Sequence, residues 1–106
     1  MGYAKERGKL EKLLAKITGL KLYDDKNLTV ITDIYEQYSH TVRILKNKDT
    51  DTFNELYQND LQQIKECKRS LKQSEQDEDR QTNFIKYRDT LSAALEKTIH
   101  VTKESV

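Results

Sequence analysis

The chain has 106 residues, of which 35% are charged and 35% apolar, with a formal net charge of +1, three glycines and no proline. That length sets one domain, residues 1–106, as the expectation, and the near-neutral charge excludes a generic polyanion binder. A chain rich in Lys, Glu, Gln and Leu but without proline points to helix, because a proline inside a helix costs about 3 kcal/mol.

Charge is uneven along the chain. Residues 1–23 hold six Lys or Arg against two Glu, and residues 49–79 hold four against nine acids. Such asymmetry orients a protein toward a partner or draws the two regions together within the fold. Cys67 is the single cysteine, so it forms no intramolecular disulfide and offers no zinc spacing; a lone thiol suits a reducing compartment. The opening stretch MGYAKERGKLEK has no apolar run of the signal-peptide kind, and Glu6 stands where a myristoylation pattern wants Ser or Thr. No segment approaches the ~20 apolar residues of a membrane span. A cytoplasmic protein is the expectation.

Leu10, Leu13, Leu14 and Ile17 follow the three- and four-residue spacing of one helical face, with Tyr3 upstream. The first helix is predicted over about 3–18, ended by Gly19 in a left-handed conformation with Leu20 folding back as an apolar contact. The connection LKLYDDKN offers Asp24, Asp25 and Asn27 as caps. Leu28, Ile31, Ile34, Tyr35, Tyr38, Val42 and Leu45 form the next stripe. Its spacing persists too long for a strand, which would alternate, so the second helix is predicted over about 27–47. Thr52 and Glu55 match a capping box before Phe53, Leu56, Tyr57, Leu61, Ile64, Cys67 and Leu71, giving a third helix over about 53–73. Residues 72–83, KQSEQDEDRQTN, carry no apolar side chain and read as a connection flanked by exposed helical ends. Phe84, Tyr87, Leu91, Ala94, Leu95 and Ile99 open the fourth stripe, over about 82–101. Short connections favour antiparallel neighbours, so the expected fold is all-α: an antiparallel bundle of four helices.

Several chemistries find no support in the spacing. A di-iron bundle needs Glu-x-x-His pairs, and neither His40 nor His100 has a Glu three residues before it. Glu36 and His40 could share a face, as ordinary surface pairs do. Glu75, Asp77 and Asp79 alternate as in a calcium loop, but Arg80 and Lys86 stand where the loop needs Gly and Glu. Cys67 lies on an apolar face, where a thiol is a small inert side chain. The scattered glycines make no phosphate-binding loop. No catalytic or metal residues and no cofactor are expected, and the protein is read as a non-enzyme.

Two surfaces remain. Lys5, Arg7, Lys9, Lys12, Lys16 and Lys21 make the first segment a basic amphipathic helix that could meet phosphates, in a small nucleic-acid-binding protein. Six tyrosines against two phenylalanines and no tryptophan suggest a protein interface, since Tyr joins large area to little side-chain entropy. The expected interface combines Tyr35, Tyr38 and Tyr57 with an acidic border of Asp49, Asp51, Glu55 and Asp60, and Tyr23 is the best candidate for an exposed aromatic. The favoured reading is an adaptor or inhibitor that binds another protein through a helix face, with a homo-oligomer as a further expectation. A small immunity-type or structural assembly protein would share the size and helical character.

Overall fold

The computed structural model describes residues 3–104; residues 1–2 and 105–106 lie outside the described residues. It is an all-α bundle of four helices, and no strand occurs among the described residues. They are α1 (Ala4–Ile17), α2 (Asp25–Lys48), α3 (50–73) and α4 (Asp77–Glu104). The molecule is elongated, 47 × 23 × 17 Å.

Side-chain contacts fix the directions. Glu6 at the start of α1 pairs with Lys48 at the end of α2. Arg7 donates to Thr102 Oγ1 at 3.2 Å and to the Thr102 carbonyl at 3.3 Å, setting α1 antiparallel to α4. The Cys67 thiol donates to Thr90 Oγ1 at 3.5 Å, which does the same for α3 and α4. The course is therefore up-down-up-down. The connections 18–24 and 74–76 share one end, and Asp49 makes the turn at the other.

Each predicted stripe supplies the core. Leu10, Leu13 and Ile17 of α1 meet Ile31, Ile34 and Val42 of α2, Phe53, Leu56 and Ile64 of α3, and Phe84, Leu91 and Leu95 of α4, all buried. Tyr3 caps the far end, its ring edge-on to Phe53 at 5.3 Å. Burying one such Leu or Phe side chain contributes about 1.5–3 kcal/mol.

Helix boundaries differ from expectation where capping chemistry decides them. Gly19 is not left-handed; no residue has positive φ among those described. α1 instead tightens, with Gly19 and Leu20 amides bonding the Lys16 and Ile17 carbonyls three residues back. Leu20 does return to the core. Asp24 caps α2 by accepting from the Asn27 amide at 2.6 Å. α3 starts at Thr50 rather than 53, because Asp49 is its cap and takes both the Thr52 amide (3.2 Å) and hydroxyl (2.6 Å).

Only residues 74–76 of the polar dodecapeptide leave the helix. Asp77, Glu78 and Asp79 fill the first turn of α4, where carboxylates complement the positive helix end. Ser74 holds the turn: its carbonyl accepts from Arg80 Nε (3.3 Å) and its hydroxyl from Asn83 Nδ2 (2.6 Å).

α3 is interrupted by a π-turn at Leu56–Asp60, in which the Leu61 amide bonds the Leu56 carbonyl five residues back. The extra residue lets Leu56 and Leu61 both enter the core, and it leaves Tyr57 half-buried.

Candidate functional site

The predicted tyrosine surface does not form. Tyr38 is 0% and Tyr35 8% exposed, because both lie on the core stripe of α2 rather than beside it. Tyr38 hydrogen-bonds Thr98 Oγ1 at 2.9 Å. Burial pushes its phenol above the usual range, an effect only partly offset by that bond, and burial does the same to Tyr87. Burial also raises Tyr35. Tyr57 is half-buried under Lys46, whose ammonium sits 4.1 Å from the ring centroid.

The acidic border divides likewise. Asp51 and Glu55 are exposed, whereas Asp49 is spent on capping. The π-turn places Asp60 against α4, with a side chain only 15% exposed and Lys97 Nζ at 3.4 Å. Asp60 Oδ2 is buried and lacks a well-aligned donor among the described residues. It lines a recess of about 350 Å³ with Asp89, Thr90 and Ala93.

The basic face of α1 is present in part. Lys5, Lys9, Lys12 and Lys16 are exposed at spacings that place them along one stripe, and Lys21 is exposed beyond the helix. Arg7 departs from the expected set, since its guanidinium is spent on Thr102.

The arrangement with the most definite character lies in the α1–α2 connection. Among the described residues, Leu22 is the large apolar side chain left exposed, at 66%. Its backbone is held on both sides. Gln81 of α4 donates to the Lys21 carbonyl (3.3 Å) and accepts from the Tyr23 amide (2.7 Å). Asn27 Nδ2 donates to the Leu22 carbonyl at 2.9 Å, and Arg88 reaches the Leu20 carbonyl at 2.8 Å. Residues 21–23 make no backbone–backbone hydrogen bond among the described residues, so these side chains satisfy polar backbone groups there and fix the path of the segment.

Tyr23, expected to be an exposed aromatic, is half-buried, its ring packed edge-on to Phe84 at 5.9 Å. It lines two recesses. One, of about 490 Å³, is formed with Leu28, Leu71, Lys68, Lys72 and Arg80. The other, of about 680 Å³, is formed with Asp24, Asp25, Asp77, Glu78 and Arg80. Arg80 is shared by both and bonds Asp77 Oδ1 at 3.2 Å. This end of the bundle thus carries an exposed leucine and two recesses that share Tyr23 and Arg80, one lined also by Leu28, Leu71, Lys68 and Lys72 and the other by four carboxylates.

Sequence reasoning found Tyr23 but not Leu22, which belongs to no periodic stripe. Its signal was a leucine in a polar connection between capped helices, with Gln81 one turn before the buried Phe84. No group of three or more His, Cys, Asp or Glu among the described residues could hold a metal ion. No helix among them is long and apolar enough to cross a membrane. No family model, curated protein or solved structure matches the chain.

Proposed function

We propose that this protein is a non-enzymatic, cytoplasmic protein–protein interaction module, an adaptor or inhibitor that docks through the Leu22–Tyr23 end of its bundle. The observation that carries this reading is an exposed leucine on a connection whose backbone is pinned by Gln81 and Asn27. An exposed apolar side chain on a mobile loop pays an ordering cost on binding, about 0.5–1.5 kcal/mol per immobilised side chain; a pinned one has met most of the backbone share in advance. Charges around an apolar centre then select the partner and speed its approach. The lone buried Cys67 fits a reducing compartment.

The test is site-specific photo-crosslinking in the native cell, with the crosslinker at Leu22 and, as control, at exposed Lys103 near the opposite end. A discrete adduct from position 22 and none from 103 is the expected result. Equal or absent adducts from both positions would remove the proposal.

One observation favours a second reading, a nucleic-acid contact through α1: the exposed stripe of Lys5, Lys9, Lys12 and Lys16. Four phosphate contacts would make the affinity for duplex DNA fall with a log–log salt slope of roughly −3.6. No binding at low salt removes this reading.

A further inference from the structure

We propose that the recess between the start of α2, the end of α3 and the first turn of α4 is a binding site for an amphipathic carboxylate, a small anion with an apolar body. The proposal stands apart from the docking reading above, because Leu22 does not line this recess.

Its volume of about 490 Å³ falls within the roughly 300–1,000 Å³ of small-molecule pockets. Tyr23, Leu28 and Leu71 supply the apolar lining. Lys68, Lys72 and Arg80 supply the charge, and no carboxylate lines the recess among the described residues. The whole chain is almost neutral, with 19 Lys and Arg against 18 Asp and Glu, so three cations without an acid are a local bias.

The fold also leaves donors unused in this lining. Lys72 forms no ion pair among the described residues, and the Lys68 ammonium meets only the Tyr35 ring, 5.2 Å from its centroid. Arg80 spends Nη1 on Asp77 and Nε on the Ser74 carbonyl, which leaves Nη2. Thr32 is the most telling. Of the ten threonines, nine use their hydroxyl in a hydrogen bond, as Thr29 and Thr41 do to the carbonyl four residues back. Thr32, half-buried in this lining, makes none among the described residues. These four side chains all donate, and a carboxylate accepts. A neutral apolar ligand leaves the cations without a partner, and a bare inorganic anion leaves the apolar lining in water. An anion with an apolar body satisfies both.

Titration of the full chain with decanoate, below its micellar concentration and at low salt, tests the site by chemical shifts. Two controls divide the probe: acetate is the head without the body, and decyltrimethylammonium is the body with the opposite charge. Saturable shifts at Leu28, Thr32 and Leu71 are expected with decanoate and with neither control. Thr32→Val breaks no hydrogen bond within the chain and is expected to weaken decanoate at least about threefold. Lys68→Gln/Lys72→Gln is expected to weaken it about fivefold or more, and Lys12→Gln/Lys16→Gln on α1 to leave it unchanged. Absence of saturable shifts with decanoate overturns the proposal. So does equal binding of decyltrimethylammonium, which is detergent adsorption, or unchanged affinity in the folded recess variants. A blocked Glu-Leu-Glu tripeptide that moves these residues where decanoate does not overturns it too, and makes the recess a docking site for a partner's acidic segment. Should the double lysine variant lose its helical circular dichroism, Thr32→Val decides alone.

Discussion

Tyr38 and Thr98, sixty residues apart, join α2 to α4 through a buried hydrogen bond of 2.9 Å. Thr98 has a single hydroxyl hydrogen, and it is committed to the Ala94 carbonyl at 2.8 Å. Tyr38 is therefore the donor, and its phenol is satisfied at the centre of the bundle. Tyr87, equally buried, has no hydrogen-bond partner for its hydroxyl among the described residues. The two tyrosines should respond oppositely to the same substitution. Tyr38→Phe removes a made bond and is expected to cost about 1 kcal/mol in urea unfolding. Tyr87→Phe removes an unmade one and is expected to be neutral or stabilising, within about 0.5 kcal/mol. Equal losses in both would contradict the assigned bonding.

The same phenols predict alkaline sensitivity. Burial raises both above the ordinary value of 10.0. A phenol whose folded pKa exceeds its unfolded one is held neutral by the fold. Its contribution is whole below the unfolded value and is lost as pH rises above it. Stability should hold to about pH 10 and then fall, and Tyr38→Phe should fall less steeply. Thermal melts across the alkaline range measure both slopes.

Glu6 predicts the acid side. The hydrogen bond from Lys48 holds its carboxyl below the ordinary 4.5, against the opposing effect of burial. A depressed folded pKa contributes stability that is present above the unfolded value and lost as pH falls through the folded one, so the window lies below pH 4.5. Lys48→Met leaves the buried carboxylate without its charged donor and should cost roughly 1–3 kcal/mol at neutral pH, less as the pH drops through that window. Lys48 is half exposed, which places the effect toward the lower figure.

Gly8 lies inside α1, and a Cβ built there meets nothing within 4 Å. Its φ is not positive. Gly8→Ala is expected to stabilise by about 0.5–1 kcal/mol by restricting the unfolded chain and improving helix propensity. A destabilised variant would show that the position is crowded.

Apolar periodicity made the bundle legible, because leucines such as Leu10, Leu91 and Leu95 occupy one face of each helix. The π-turn was harder to see. Leu56 and Leu61 are five apart, a step that no regular α-helix keeps on one face, yet Tyr57 between them supplies a false four-residue match. Tyr35 and Tyr38 stood in the core stripe of α2; reading them as an interface weighed residue type above position. Asp60 turned inward for a reason that composition does not hold, the extra residue of the π-turn. Leu22 depends on Gln81, fifty-nine positions away in the chain, and no local pattern connects the two. Exposure of a leucine in a connection is decided by where the chain is tied, and here the local bond from Asn27 is joined by long-range side-chain bonds from Gln81 and Arg88.

Site-specific photo-crosslinking in the native cell tests the central claim most directly. Docking through the Leu22–Tyr23 end predicts a discrete adduct when the crosslinker replaces Leu22 and none when it replaces exposed Lys103 near the opposite end. Equal adducts at both positions, or none at either, would contradict it.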